Sequence, residues 1–215
     1  MFDIVSEISG GEKMKPYITS LNVNCGPCSF INLTEIKGSK KIEEDLAKIG
    51  KLKPFKISDW TSYLIWADKY HKEVKVFVTK VDLDQKMFKL IQCYEKIGDD
   101  EMKKLKTLAV KRYNGLKKKY NDRFTIIKNP LDKLNELLDD RHRVAITVSD
   151  YYLKRPRDPA PHAIVAVKRI GVRYYFYDSA KSNGKTILTK NELKRAFEIN
   201  KQQGFYPGLV AYKIR

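Results

Sequence analysis

The chain has 215 residues, of which 42% are hydrophobic and 32% are charged, the composition of a globular protein rather than a disordered one. No apolar run is long enough to span a membrane, and residues 1–15 lack the apolar core of a secretory signal. Three cysteines, a small and odd number, do not make a disulfide framework, so a reducing, cytoplasmic location is expected.

The net charge of +17 comes from 43 basic and 26 acidic residues. Lysine accounts for 33 of the basic residues and arginine for 10, whereas forked recognition of phosphates and bases favours arginine. The lysine excess therefore reflects background composition in part. The charge still favours an acidic partner or non-specific contact with nucleic acid at low salt.

The first half of the chain is predicted to be mainly helical. Its elements follow from the helical spacing of apolar residues, from strand-like alternation and from cap residues. They are a helix beginning at Cys25, a helix over 40–50, a helix after an N-cap at Ser58 or Asp59, a strand over 74–81, and a helical stretch over 82–120 broken near Gly98.

The second half is predicted to form mostly strands. Strands are expected over 123–128, 143–149, 162–170, 173–178 and 208–214, and helices over 130–140 and 189–199. Helices followed by a mostly antiparallel sheet predict an α+β fold. We expect one domain over residues 1–215, with a helical half at about 15–80, a basic helical insertion at about 82–122 and a sheet half at about 123–215.

The stretch 99–122 carries eight basic residues. A solvated helix face explains such a run without any further function. The alternative is an electrostatic patch for an acidic partner or nucleic acid, although no interleaved aromatic residues of a nucleic-acid motif accompany it.

The sequence CGPC at residues 25–28 admits two chemical interpretations. In one, Cys25 and Cys28 are the redox dithiol of a thioredoxin-like oxidoreductase. That interpretation needs a buried strand before the motif and a cis-proline loop after it, yet residues 17–24 are weakly strand-like and no proline lies between Pro54 and Pro130. In the other, Cys25 is a nucleophile at the start of a helix and Cys28 is a small buried residue.

A cysteine nucleophile needs a histidine base and a group that orients the histidine. His71 and His142 lie among charged residues and are expected at the surface. His162 begins an apolar strand and Asp178 ends the next strand, so an antiparallel pairing brings the two within hydrogen-bonding reach. We predict acyl transfer through a thioester, with Cys25 as nucleophile, His162 as base and Asp178 as the orienting residue.

Several segments resemble the papain-like cysteine peptidases, and most closely the branch that processes the double-glycine leaders of bacteriocins. They are "NCGPCSFINL", "LDKLNELLDDRHRVAITVSDYYL", "PHAIVAVKRIGVRYYFYDSA" and the final helix and strand. The resemblance covers residues 15–80 and 130–215. It implies a papain-like fold with the nucleophile's helix packed on the sheet, hydrolysis of peptide bonds, and neither a cofactor nor a metal ion.

One position departs from the family pattern. The family places a glutamine six residues before the nucleophile to stabilise the oxyanion, and Thr19 stands there in this chain. Asn22 or Asn24 is expected to supply an amide instead, because loss of one oxyanion donor costs roughly 10²–10³ in rate. A catalytically weak papain-like binding module with a basic surface is therefore a third interpretation, beside the peptidase and the dithiol oxidoreductase.

The loop 151–161 carries three prolines and the basic residues Lys154, Arg155 and Arg157. Next to the nucleophile, these charges predict a preference for acidic or carboxylate-bearing peptides, expressed mainly in association rate. An ordinary surface connection is the alternative. Cys93 has no activating neighbours in the sequence and serves as the reference thiol.

Overall fold

The computed structural model describes residues 16–18, 25–50, 60–79, 96–149, 161–204 and 208–214, with the single positions 89 and 92. Its helices are α1 Cys25–Thr34, α2 Lys40–Gly50, α3 Trp60–Lys69, α4 Asp99–Lys119, α5 Pro130–Asp139 and α6 Lys190–Gln202. Its strands are β1 Val74–Val78, β2 Phe124–Ile126, β3 His142–Ser149, β4 Pro161–Ile170, β5 Arg173–Tyr177, β6 Lys185–Thr189 and β7 Gly208–Lys213.

The described strands form one sheet of seven, in the order β2-β1-β7-β3-β4-β5-β6. All neighbours are antiparallel except β1 and β2, which are parallel. The prediction of an α+β fold with a mostly antiparallel sheet is therefore confirmed. Strand β1 comes from the half predicted as helical, and it lies inside the sheet between β2 and β7. Strand β6 was not predicted.

Cap residues fix where three of the helices begin. Gly98 is the N-cap of α4, at the break predicted there. Asn129 caps α5 by accepting hydrogen bonds from two backbone N–H groups, and Pro130 takes the first helical position, where its missing N–H costs nothing. Thr189 ends β6 and caps α6 in a capping box with Glu192.

Helices cover both faces of the sheet, and each face has its own hydrophobic core. Helices α1, α2 and α3 pack on one face through a cluster that includes Phe30, Leu33, Trp66 and Val165. Helices α5 and α6 pack on the other face through a second cluster that includes Leu134, Ile164, Phe176, Leu193 and Phe197. Adjacent residues of β4, such as Ile164 and Val165, pack in opposite cores because successive side chains of a strand point to opposite faces.

Helix α1 lies against β4 and β3 and is buried from Pro27 to Thr34. Only Cys25 and Gly26, at its first turn, are partly exposed. The packing therefore presents the N-terminus of this helix, and no other part of it, to the surface. Within the described ranges, no helix combines the length and apolar character that crossing a membrane requires.

Candidate active site

Cys25 is the first residue of α1, as the sequence predicted. Pro27 sits in the first turn, where a backbone N–H would have no partner inside the helix. The N-terminus of an α-helix carries a partial positive charge that stabilises a nearby anion. The position therefore favours the thiolate form of this partly exposed cysteine.

A buried hydroxyl pair braces the first turn of α1. The Ser29 hydroxyl donates to the Gly26 carbonyl oxygen at 2.7 Å. Since that uses the only proton of Ser29, the Tyr63 hydroxyl of α3 donates to Ser29. Burial raises the pKa of Tyr63 well above its usual value, and negative charge at Cys25 adds to the rise against the opposing effect of the Ser29 hydrogen bond. Tyr63 thus stays a protonated donor, and it holds the turn that carries Cys25.

Arg143 of β3 fixes the other end of α1. Its Nη1 donates to the Asn32 carbonyl oxygen at 2.8 Å, and its Nη2 lies 2.5 Å from Glu35 Oε1. The Asn32 carbonyl belongs to the last turn, whose carbonyls have no partner within the helix. A cation there complements the helix dipole, so the sheet holds α1 by its C-terminus and leaves its N-terminus at the surface.

A short segment before Cys25 links α1 to the loop after β5. The backbone of Tyr17 donates to the Asn32 side-chain oxygen at 2.7 Å and accepts from its amide nitrogen at 3.0 Å. Its neighbour Pro16 packs on Gly184, where a Cβ atom would come within 2.5 Å of the proline ring. Gly184 also has a φ of +65°, which suits glycine. This residue therefore has to be small for the segment to lie against the loop that follows Asp178.

His162 lies at the start of β4 with 4% of its surface exposed, and Asp178 follows β5 with no exposure. Their side chains meet through His162 Nε2 and Asp178 Oδ1 at 2.8 Å. The backbone pairing of the two strands ends at Val165 and Tyr177, so the contact lies just beyond the ladder. The structure thus brings together the two residues that the sequence placed within hydrogen-bonding reach, while their catalytic role stays a prediction.

Two further groups fix the Asp178 carboxylate. The backbone N–H of Ala180 donates to Oδ1 at 3.1 Å, and the hydroxyl of Thr186 donates to Oδ2 at 3.1 Å. Both oxygens of this fully buried carboxylate are therefore occupied, and its orientation toward His162 is set. Thr186 was not predicted as a site residue, because a threonine in a strand carries no signal of the side chain it will face. The Ala180 contact is an Asx-type turn, which the sequence "DSA" does suggest.

His162 is held between an aspartate and a cysteine. Burial acts against the charged imidazolium, but hydrogen bonds to Asp178 and Cys25 and the negative charge on both outweigh it and raise the pKa of His162 to about 10. The Cys25 side chain is thus within hydrogen-bonding reach of the ring. Since Nε2 is engaged by Asp178, Nδ1 is the nitrogen that remains for Cys25. The order Cys25, His162, Asp178 is that of a nucleophile, a proton carrier and an orienting carboxylate.

The second cysteine of the CGPC sequence lies behind the first. Cys28 is in the first turn of α1 with no exposed surface, the buried position predicted for it. No disulfide bond joins Cys25 and Cys28. Other site residues named from the sequence lie outside the described residues, and they are Thr19, Asn22, Asn24, Cys93, Lys154, Arg155 and Arg157.

The other two histidines lie elsewhere. His71 is exposed after α3, as predicted. His142, predicted at the surface, is partly exposed: 11% of its side chain is accessible, and its Nδ1 lies 3.1 Å from the Asp140 carbonyl oxygen. It starts β3, where it pairs with Lys213 of β7.

Helix α4 carries the basic run, and its charges have different environments. Six of its lysines are exposed, namely Lys103, Lys104, Lys111, Lys117, Lys118 and Lys119. Arg112 instead points inward and donates to the Gly50 carbonyl oxygen at 2.7 Å and to the Ser62 hydroxyl at 2.9 Å. It thereby satisfies the C-terminus of α2. The helix is attached to the molecule through Arg112 and its buried residues Met102, Leu105 and Ala109.

No family model, curated protein or solved structure matches this chain. A function is therefore inferred from the geometry at the N-terminus of α1. Three residues far apart in the sequence meet there, around one buried histidine whose pKa is raised.

Proposed function

We propose that this protein is a cysteine-dependent acyl-transfer enzyme of the papain-like type, and that it hydrolyses peptide bonds. One observation carries the proposal. His162, buried and in contact with the Asp178 carboxylate through Nε2, turns its remaining side to Cys25 at a helix N-terminus. A metal ion is not needed for this chemistry, because the helix dipole and the imidazolium both favour the thiolate.

The reaction has two stages. The Cys25 thiolate attacks the substrate carbonyl, and the tetrahedral oxyanion accepts hydrogen bonds from the Cys25 backbone N–H and from the amide of Asn22 or Asn24. His162 passes the proton on Nδ1 to the leaving amine, which leaves a thioester on Cys25. His162 then removes a proton from a water molecule that attacks the thioester and releases the acid. Asp178 stays ionised throughout and keeps the ring in place.

The substrate is proposed to be a peptide with acidic residues or a free carboxylate. Lys154, Arg155 and Arg157 precede β4 in the sequence, and His162 is the second residue of β4. Rim charges act mainly on association rate and are screened by salt. The preference for acidic substrates is therefore expected to decline at high salt, and an Arg155→Ala, Arg157→Ala variant should lose it at low salt.

Trapping of the acyl-enzyme tests the proposal. The protein is mixed with acidic and neutral N-blocked peptide esters, quenched in acid and analysed by mass spectrometry of its peptides. We expect an acyl group on Cys25 in the wild type and in Cys28→Ala, and none in Cys25→Ala. Absence of the adduct from wild-type protein whose Cys25 still reacts rapidly with iodoacetamide at neutral pH would contradict acyl transfer.

A dithiol oxidoreductase is the second candidate, favoured by the two thiols in the first turn of α1. Cys28→Ala separates the candidates, because an oxidoreductase loses all turnover of a disulfide substrate such as insulin, whereas the peptidase keeps acylation.

A binding module is the third candidate, favoured by the exposed lysines of α4. It predicts that Cys25 reacts with iodoacetamide no faster than Cys93 at neutral pH.

A further inference from the structure

The position of Cys28 suits a disulfide with Cys25. The two residues are three apart at the start of α1. Helix geometry puts Cα atoms three residues apart at about 5 Å, within the range of about 4.4–6.8 Å seen in disulfides. Gly26 adds no side chain between them, and Pro27 contributes no N–H. The first turn can therefore adjust to an S–S bond without losing a helical hydrogen bond from Pro27.

The two thiols face a common neighbour and differ in exposure. Negative charge on either Cys25 or Cys28 raises the pKa of Tyr63, so both sulfur atoms lie close enough to that hydroxyl for their charges to act on it. Cys25 is partly exposed and so reachable by a small oxidant, whereas Cys28 has no exposed surface. This is the arrangement of an outer reacting cysteine with an inner resolving cysteine.

We propose that Cys25 and Cys28 form an oxidation site, in which a hydroperoxide converts the nucleophile reversibly into a Cys25–Cys28 disulfide. The inference rests on the proposed function to the extent that it needs Cys25 as a thiolate beside His162. It gives Cys28 a role that peptide hydrolysis does not require.

The chemistry balances in two steps. The Cys25 thiolate attacks one oxygen of the hydroperoxide, so that an S–O bond forms, the O–O bond breaks, and the departing alkoxide or hydroxide takes up a proton. The Cys28 sulfur then attacks the Cys25 sulfur of the sulfenic acid, so that an S–S bond forms and the S–O bond breaks. The oxygen leaves as water with the proton of Cys28. Two electrons pass from the two thiols to the peroxide, and a dithiol reductant returns them by exchange.

The disulfide has two consequences for the site. It removes the Cys25 sulfur from reaction with a substrate carbonyl, so acyl transfer stops while the bond is present. It also consumes the sulfenic acid before a second peroxide can oxidise it to the sulfinic acid, a step that dithiols do not reverse. Cys28 therefore makes oxidation of the nucleophile recoverable.

Limited peroxide treatment followed by mass spectrometry tests the proposal on the full-length protein. In the wild type we expect a loss of two hydrogen atoms in the peptide that contains both cysteines, and full return of Cys25 alkylation after dithiothreitol. Cys28→Ala should instead gain two or three oxygen atoms on Cys25 and not recover, and Cys28→Ser provides the same test if the alanine variant folds poorly. Cys93→Ala is the matched control and should behave as the wild type.

Recovery of Cys28→Ala and Cys28→Ser to the wild-type extent would overturn the inference, as would added oxygen on wild-type Cys25 without the disulfide. The masses are read without any peptidase substrate. A disulfide that forms in a protein with no acyl-enzyme therefore contradicts the proposed function alone, and an acyl-enzyme in a protein with no disulfide contradicts this inference alone.

Discussion

The site at the N-terminus of α1 and the basic helix α4 both contain several ionisable groups, and they use charge in opposite ways. At the site, His162 and Asp178 are both buried and meet at 2.8 Å. On α4, six lysines are exposed. Water and salt screen exposed charges, whereas buried charges keep most of their interaction. The small, buried set therefore has the stronger interactions, as the proposed chemistry requires, although α4 carries more charges.

The same contrast appears within α4. Lys119 Nζ lies 2.5 Å from Asp68 Oδ2. Because both side chains are at the surface, we expect this ion pair to contribute little to the stability of the fold. Arg112, about two turns earlier on the helix, points inward and donates to the Gly50 carbonyl oxygen at the end of α2. The contribution of these basic residues to stability therefore depends less on their number than on which of them donate to a buried acceptor.

Removal of the proposed nucleophile or of the proposed proton carrier should have the largest effect. Cys25→Ala and His162→Ala are each expected to lower the rate of peptide ester hydrolysis by about 10⁴–10⁶-fold. The two groups act as a unit, so loss of either one removes the contribution of both. The double variant should lose no more than either single one. Additive losses in the double variant would mean that Cys25 and His162 do not act together.

The Asp178 variants separate orientation from charge. Asp178→Ala removes the acceptor from His162 and should cost about 10³–10⁴-fold in kcat. Asp178→Asn keeps an oxygen for Nε2 but removes the negative charge, so its rate loss should be smaller while the alkaline limb of its pH–rate profile moves to lower pH. An unchanged alkaline limb in Asp178→Asn would show that the Asp178 charge does not hold the proton on His162.

The raised pKa of His162 also predicts how stability depends on pH. The pKa of about 10 in the folded protein lies above the unfolded value of about 6.5, so the folded state binds the proton more tightly. The resulting stabilisation is present in full below about pH 6.5 and is lost as pH rises through about 10. The difference in free energy of unfolding between the wild type and Asp178→Asn, measured in urea, should therefore shrink from pH 7 to pH 10.5. A difference that is constant or grows over this range would contradict the sign.

Thr186 should act as a positioning residue with an intermediate effect. Thr186→Val keeps the shape but removes the donor to Asp178 Oδ2, and a buried acceptor without its donor costs about 1–3 kcal/mol. We expect a lower kcat with an unchanged KM and a shifted pH–rate profile, and Thr186→Ser should restore both. A loss of stability with a wild-type pH profile would assign Thr186 a structural role only.

The neighbours Arg112 and Lys111 give the smallest and most closely matched test. Arg112→Ala leaves the Gly50 carbonyl and the Ser62 hydroxyl without that donor, at a cost of about 1–3 kcal/mol in unfolding free energy. Lys111→Ala, one residue away and exposed, should stay within about 0.5 kcal/mol of the wild type. Neither should change acylation of Cys25. Equal destabilisation by the two variants would contradict the claim that the inward Arg112 stabilises the fold more than the exposed Lys111 does.

Local signals in the sequence were enough to predict several parts of the fold. Thr189 and the proline at 130 mark helix starts by their own chemistry, and the apolar strands around His162 predict the hairpin that brings this residue to Asp178. Cys25 at a helix start follows from the same kind of evidence. In each case the cause lies within a few residues of the effect.

The parts that were missed depend on contacts between distant residues. Strand β6 is a short edge strand that leads directly into α6, so the cap at Thr189 is a stronger signal than the strand. Tyr63 reaches Ser29 across 34 residues, and Arg143 reaches Asn32 across 111. Which polar side chain meets which is decided by the packing of α1 on the sheet, and no spacing within one segment encodes it.

The pH dependence of Cys25 alkylation is the sharpest test of whether His162 and the helix N-terminus activate Cys25. Iodoacetamide modification of Cys25 is followed by mass spectrometry from pH 5 to pH 10 in the folded wild type, in His162→Ala and in the wild type unfolded in urea. We expect Cys25 of the folded wild type to stay reactive far below the ordinary cysteine pKa of about 8.5, and His162→Ala to lose this reactivity at neutral pH. A folded wild-type profile that coincides with that of the unfolded chain would contradict the claim that His162 and the helix N-terminus activate Cys25.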